Sequence, residues 1–364
     1  MRNTTIPTPK FANVKGSNFH QELKRRVNNY FKETNKASTG NSALYFKAIL
    51  LTTLYIAMYV HVVFFTPATW VALLECLVMG GLTAAIGFNV MHDGSHGSFS
   101  NSKVVNKFAT FSINMLGASG IMWNNKHNIV HHTYTNIDGI DDDIEIKPLL
   151  RMCATQKKRW IHRFQHIYVW FLYTLLLIVW LFVTDYAKYF RQKVGSVPIK
   201  KMSAFDHFAF WFAKIGYALM MIALPIYILG FVPWLLGFLT LTMFSGFCLS
   251  IVFQLAHTVE ETAFPSTIGD TNKLENEWAI HQVETTANFA TKNKVISWLV
   301  GGLNFQIEHH LFPKISHVHY PQISKIIKNT CEEFNVKYIE YKKMSEAIIS
   351  HATYLKRMGR EAQA

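Results

Sequence analysis

Three short segments of this sequence concentrate histidines at close spacing. They are HDGSH at 92–96, HNIVHH at 127–132 and QIEHH at 306–310. Neutral imidazole is a good ligand for zinc, copper, iron and nickel. Seven histidines are too many for one ion, so the sequence predicts a site for two metal ions. The predicted metal-binding and catalytic histidines are His92, His96, His127, His131, His132, His309 and His310.

The spacing within each segment is typical of helices that present ligands on one face. Residues three or four positions apart on a helix point in the same direction. His92 and His96 therefore share a face, as do His127 and His131. In the third segment, Gln306 shares a face with the two histidines that follow it. Helices should position all three clusters.

Composition indicates that a membrane surrounds these helices. Half of the 364 residues are hydrophobic and 16% are charged, whereas a soluble domain carries about 25% charged residues. The formal net charge of +13 fits either nucleic acid or an anionic membrane surface. Because the basic residues flank apolar segments, the sequence predicts contact with membrane lipids and no nucleic-acid partner.

Four apolar segments are long enough to cross a bilayer, which takes roughly 20 helical residues. They form two hairpins, at 44–65 with 69–91 and at 208–229 with 234–256. A fifth segment, 166–184, has basic residues on both flanks, which favours an interfacial or re-entrant path over a crossing. Four crossings place both termini and all three histidine clusters on one face, predicted to be cytoplasmic. We therefore expect an all-α integral membrane protein with a helical cap that holds the histidines.

The chain divides into three predicted parts. Residues 1–43 form a cytoplasmic amphipathic segment, 44–340 the membrane domain and 341–364 a C-terminal tail. The helical pattern of Phe19, Leu23 and Val27 fits a helix lying on the membrane surface, or equally a helix packed on its own domain.

The three segments, in this order and after a transmembrane hairpin, resemble those of the membrane fatty acid desaturase family. The resemblance covers about residues 40 to 340. Gln306 at the start of the third segment resembles the "front-end" branch (Δ5, Δ6 and Δ8 enzymes), which desaturates between an existing double bond and the carboxyl end. The resemblance implies a di-iron centre, dioxygen as co-substrate and a fatty acyl substrate. It also implies an eighth ligand, His257, just after the fourth span.

Three further residues are candidates to support the ligands. Metal-bound histidines usually donate their second ring nitrogen to an acceptor, and Asp93 and Glu308 stand beside ligands in the sequence. Both could equally be solvated acids. Gln306 stands where the wider family has a histidine, and it either binds metal through its carbonyl oxygen or only supports the site. Four acids elsewhere could bind a cation, but an acidic surface loop is the expected place for them: Asp138, Asp141, Asp142 and Asp143.

The resemblance also bears on partners and location. Many front-end enzymes carry a fused cytochrome b5 with a His-Pro-Gly-Gly haem motif, which is absent from this sequence. The expected electron donor is therefore a separate ferredoxin or cytochrome b5, supplied by a reductase. This absence favours a bacterial inner membrane. The acyl chain should occupy a narrow apolar tunnel, with Trp70, Trp123 and the aromatic residues near 168–180 as candidate lining.

Other functions fit parts of this pattern. Hydroxylases, ketolases and acetylenases share the same histidine scaffold and would differ in a few pocket residues. A metal-binding receptor or transporter should place its polar ligands near the middle of the membrane, whereas these clusters lie outside the predicted spans. A membrane zinc hydrolase would need fewer histidines.

Overall fold

The computed structural model describes residues 8–12, 18–267 and 271–362 of the chain. Within this described part, four helical segments are long and apolar enough to cross a membrane. The prediction of an all-α membrane protein with a histidine-bearing cap is confirmed. The four segments are Ser42–Phe65, Thr69–His96, Ala204–Leu229 and Phe231–His257.

The first helix, α1 (Phe19–Thr34), packs its apolar face inside the protein. Phe19, Leu23 and Val27 are buried in a cluster with apolar residues between positions 279 and 336. Arg26 on the same helix makes an ion pair of 2.5 Å with Glu333. Of the two alternatives for this helix, the structure shows packing on its own domain.

The first hairpin carries the first histidine cluster at its end. The side chain of Asn41 accepts a hydrogen bond from Leu44 N at 3.1 Å and so begins the first span. Thr66, at φ 44°, turns the chain between the two spans. The second span continues without a break into the cluster. The elements are α2 (Ser42–Val60), a π-helical turn (His61–Phe65), α3 (Thr69–Ile86), a second π-helical turn (Gly87–Met91) and α4 (His92–His96).

The second cluster lies on a short helix of the cap. The Ser119 side chain accepts a hydrogen bond from Met122 N at 3.4 Å and begins this helix, which then widens into a π-helix. The elements are α5 (Lys103–Met115), α6 (Gly120–Trp123), the π-helix (Asn124–His131) and α7 (His132–Tyr134).

The fifth apolar segment is sharply bent. Its two halves, Trp160–Thr174 and Leu176–Arg191, meet at 62°, a shape shared by broken spans and re-entrant segments. Its non-spanning path stays a prediction. The elements here are 3-10 turns (Asp142–Ile144 and Trp160–Phe164), α8 (Gln165–Thr174), α9 (Leu176–Val179), a π-helical turn (Trp180–Thr184), α10 (Asp185–Arg191) and a two-stranded antiparallel sheet of β1 (Lys193–Val194) and β2 (Val197–Pro198).

The second hairpin packs closely on the first. It comprises α11 (Ala204–Ala218), a π-helical turn (Leu219–Ala223), α12 (Leu224–Leu229) and α13 (Phe231–His257). At Gly80 of α3, a Cβ atom would stand only 2.5 Å from the backbone oxygen of Leu241 in α13. A small residue is therefore required where these two spans cross, as is usual for membrane helices.

The remaining elements complete the cap and contain the third cluster. The parallel strands β3 and β4 pair Asn288 with Glu340 and Phe289 with Tyr341. In chain order the elements are α14 (Trp278–Glu284), β3 (Asn288–Phe289), α15 (Lys294–Leu299), α16 (Gln306–Leu311), a 3-10 turn (His317–His319), α17 (Tyr320–Glu333), β4 (Glu340–Tyr341) and α18 (Met344–Met358).

The segment predicted as a C-terminal tail is packed against the membrane domain. Tyr354 and Leu355 of α18 are buried in the main apolar cluster. The guanidinium group of Arg151, which is fully buried, donates to Met358 O at 2.5 Å and to Glu361 O at 3.0 Å. A buried cation thus neutralises the carbonyl groups that end this helix.

Candidate metal centre

The three clusters and His257 converge on two neighbouring groups of histidines. In each group, one ring nitrogen from every histidine lies within 4.8 Å of the others. The rings of His127 and His131, one from each group, are 5.4 Å apart. The first group is His92, His96, His127 and His309, and the second is His131, His257 and His310.

His132 lies between the two groups. Its ring centroid is 4.5 Å from that of His309 and 4.4 Å from that of His310. Its Nε2 atom is 3.2 Å from Nε2 of His127. The structure therefore brings together all eight histidines of the predicted ligand set.

A π-helix accounts for the inclusion of His132. Residues 124–131 are wound with i to i+5 hydrogen bonds, so each turn takes more residues than an α-helical turn. In an α-helix, the residue at i+5 would point well away from residue i. The wider turn lets both His131 and His132 approach the side of His127, which is why the HNIVHH pattern can supply three ligands.

Four histidines have a hydrogen-bond partner at Nδ1 that fixes the orientation of the ring. Their second ring nitrogen, Nε2, faces the other histidines of the group. The partner of each Nδ1 atom is a carboxylate, an amide oxygen, a hydroxyl or a backbone carbonyl. The Nε2 atoms of the same four rings are buried and have no hydrogen-bond partner among the described residues. The Nδ1 contacts are His131 with Asp141 at 3.1 Å, His257 with Thr285 O at 3.2 Å, His309 with Tyr320 Oη at 3.2 Å and His310 with Gln282 Oε1 at 2.8 Å.

Unpaired buried polar atoms are rare and need a cause, and a metal ion at each group would satisfy these nitrogens. The distances between neighbouring nitrogens agree with this. Nε2 of His127 lies 3.0 Å from Nε2 of His92. Two nitrogens bound side by side at about 2.1 Å from one ion stand about 3 Å apart. The residues present therefore fit two metal ions.

Burial keeps most of these imidazoles in the form that binds metal. It lowers the pKa of His127, His132 and His309 well below the ordinary value, and that of His310 likewise. Neutral imidazole is the metal ligand. Burial alone would also lower the pKa of His131, but the Asp141 carboxylate beside Nδ1 raises it above the ordinary value. His131 is thus the most basic of the clustered rings outside the spans.

The residues proposed to support the ligands have other contacts. Asp93 accepts hydrogen bonds from Ser316 Oγ at 2.7 Å and from His317 Nδ1 at 3.0 Å, and His317 belongs to neither group. Gln306 is buried, and its Nε2 atom has no partner among the described residues.

Glu308 points to a different network. It accepts from Asn288 Nδ2 at 2.7 Å and from Tyr338 Oη at 2.8 Å. Burial raises its pKa to about 7. The described structure therefore gives Glu308 no imidazole partner.

Sequence reasoning missed two residues, Asp141 and Gln282, that hold histidines of the groups in orientation. Asp141 was expected in an acidic surface loop, and that prediction is wrong, since Asp141 is 1% exposed and contacts His131. Gln282 was not among the residues expected to support the ligands. Asp141 lies ten residues after His131, and Gln282 lies on a different helix from His310. The spacing within the histidine clusters therefore could not indicate either residue.

Two cavities lie near the histidine groups. A cavity of about 590 Å³ lies beside the bent segment, with Lys126 and Lys188 among its polar lining and several leucines among its apolar lining. Trp123, Trp180 and Phe253 line both this cavity and a second, apolar one that reaches His92. The two cavities therefore adjoin at these three aromatic residues, and the apolar one reaches the first histidine group. We call the two adjoining cavities the passage.

Trp123 separates the passage from the second histidine cluster. Its ring stacks on that of His127, with centroids 4.5 Å apart. The prediction that Trp123 lines the substrate tunnel agrees with this placement. The same prediction for Trp70 is wrong, because Trp70 is 72% exposed at the start of the second span.

Fold and site together define a helical membrane protein with buried histidine groups that could hold metal ions, beside a cavity with an apolar lining. Residues 68–342 match the family model described as fatty acid desaturase. The chain belongs to this family, and it is an oxidoreductase that acts on fatty acyl lipids.

Several desaturases are similar to this chain along nearly its whole length. It is 36% identical to an sn-1 linoleoyl-lipid 6-desaturase of Arthrospira platensis, over 97% of this chain and 96% of the relative. It is 34% identical to an acyl-lipid (8-3)-desaturase of Physcomitrium patens, over 97% and 74%. A Mortierella alpina enzyme of the same name is 32% identical, over 94% and 78%. The resemblance to front-end desaturases is confirmed.

Proposed function

We propose that this enzyme introduces a front-end double bond into an acyl chain esterified in a membrane lipid, using two iron ions and dioxygen. The observation that carries the proposal is the pair of histidine groups beside the apolar passage. The relatives named as acting on linoleoyl-lipid or acyl-lipid support a lipid-bound substrate. Other carriers of the acyl chain, such as coenzyme A, are the alternatives that an assay must separate.

The proposed ligands divide between two ions. His92, His96, His127 and His309 would hold one ion, and His131, His257 and His310 the other, with His132 between them. When bound, the iron ions would supply the oxidising power that removal of hydrogen from a methylene group requires and that protein side chains lack. Asp141, Gln282 and Tyr320 would hold the imidazoles in orientation.

The residues of the passage would select the carbon atoms that react. Trp123 and Phe253 hold the chain against the centre, and the apolar lining excludes water. Reaction then occurs at the pair of carbons that lies within reach. The overall balance is one saturated CH₂–CH₂ unit, O₂, two electrons and two protons giving one CH=CH unit and two water molecules.

The two electrons must come from outside the substrate. We propose that a ferredoxin or a cytochrome b5 with its reductase supplies them. The net charge of +13 would favour the approach of an acidic carrier. The same proposal places the cap on the cytoplasmic face, in keeping with the basic residues that flank the apolar segments.

Expression in a host fed defined fatty acids tests the reaction. Lipids and acyl-CoA are separated, and the double bonds of each fraction are mapped by mass spectrometry. We expect a new double bond between an existing one and the carboxyl end, appearing first in the lipid fraction. A product that gains oxygen instead of losing two hydrogens would indicate a hydroxylase. One zinc and no iron per purified chain would overturn the oxidative function.

A further inference from the structure

A buried carboxylate links three elements around the acyl passage. Asp185 begins α10 and is 1% exposed. Its Oδ2 atom accepts hydrogen bonds from Ser119 N at 2.7 Å and from Lys214 Nζ at 2.8 Å. Its Oδ1 atom accepts from Trp180 Nε1 at 3.0 Å. Each partner lies on a different part of the fold.

The first partner begins the helix of the second histidine cluster. Ser119 precedes α6, which continues directly into the π-helix that carries His127. Lys214, in the middle of the third span, also donates to Gly117 O at 2.8 Å and to Leu181 O at 3.2 Å. The ion pair therefore fixes the start of this helix against both the third span and the bent segment.

The second partner, Trp180, is one of the residues that line the passage. Trp180 lines both cavities. Its ring stacks on Trp123 with centroids 5.3 Å apart, and Trp123 stacks on His127 at 4.5 Å. One carboxylate thus holds the wall that the acyl chain would contact and also the helix that presents ligands to the metal.

Stability alone does not explain such a pair. A buried ion pair loses so much solvation that well-packed apolar residues often replace it without loss of stability. Position is a stronger reason, because a misplacement of about 1 Å can cost roughly a hundredfold in rate. We propose that Asp185, together with Lys214, is a positioning residue that determines which carbon pair of the acyl chain lies at the metal centre. The inference rests on the proposed desaturation.

Two double variants separate positioning from charge. Asp185→Leu with Lys214→Met removes both charges and every hydrogen bond of the carboxylate. Asp185→Asn with Lys214→Met removes the same charges but keeps an amide oxygen that can accept from Trp180 or Ser119. Each full-length variant is purified, its iron content is measured, and its products are mapped together with KM and kcat.

We expect both double variants to keep their iron. The Leu variant should place part of its double bonds at neighbouring positions, and its kcat should fall by about tenfold to a hundredfold. The Asn variant should recover much of the original position. Wild-type product and kcat in the Leu variant would overturn the proposal, as would equal loss of iron and activity in both variants, which indicates a purely structural pair.

A single variant tests the wall without disturbing the charges. Trp180→Phe keeps an aromatic ring but loses the N–H group that Asp185 holds and part of the indole volume, a loss of volume that the Trp70→Phe control shares. It should shift double-bond position in the same direction as the Leu variant, whereas Trp70→Phe, at an exposed tryptophan, should not. An unchanged product from Trp180→Phe would overturn the proposal. A wild-type enzyme that makes no double bond would instead overturn the proposed function.

Discussion

Gln282 offers the sharpest test of the metal centre, because it contacts a proposed ligand without being one. Its Oε1 atom accepts from His310 Nδ1 at 2.8 Å and from Thr135 Oγ1 at 3.1 Å. Gln282→Leu removes this acceptor at similar volume, so the ring of His310 loses its orientation. Loss of such a partner costs about tenfold to a hundredfold in metal affinity or activity, which corresponds to roughly 1.4–2.8 kcal/mol.

The assay is retention of iron during titration with a chelator, followed by activity measurement. Gln282→Leu should release iron at a chelator concentration about tenfold to a hundredfold lower than the wild type. Gln282→Glu keeps an acceptor and should stay close to the wild type. Gln322→Leu, at an exposed position of α17, is the matched control. Wild-type iron retention by Gln282→Leu would refute the assignment of His310 as a ligand held by this glutamine.

Three further predictions follow from the fold and the ligand set. Gly80→Ala brings a Cβ atom 2.5 Å from a backbone oxygen, so thermal unfolding in detergent should show a loss of about 1–3 kcal/mol; Gly216→Ala, which meets no atom within 4 Å, should be neutral or slightly stabilising. Arg151→Met leaves the carbonyls at the end of α18 without a donor and should lower the unfolding midpoint clearly, unlike exposed Arg25→Met. His131→Ala should abolish desaturation while the protein still inserts in the membrane, and retained activity would remove His131 from the ligand set.

Sequence reasoning predicted the parts of the molecule that depend on local patterns. Continuous apolar segments gave the four membrane helices. The spacing within each cluster correctly paired His92 with His96 in one group. The position of His257 at the end of the fourth span agreed with the family pattern, and the structure places its ring in the second group.

Sequence reasoning did not predict features that depend on contacts between residues far apart in the chain. Spacing placed His127 and His131 on one helical face, and their rings do stack 5.4 Å apart, but it did not predict the π-helix that also brings His132 beside His127. Asp141 looked like one acid among four, and only the folded chain buries it against His131. The apolar face of α1 could not be assigned to lipid or protein until its partner, the helix with Glu333, was known.

The π-helix of residues 124–131 also bears on when a metal ion can find its full set of ligands. A short isolated helix is marginal in water, and α-helical winding would turn His132 away from His127. The nascent segment therefore offers an ion at most part of its ligands. The third and fourth spans and α16 must first dock to supply His257, His309 and His310. If the groups hold the proposed iron ions, we expect these to bind after the elements have docked, so that cells short of iron accumulate folded apoenzyme.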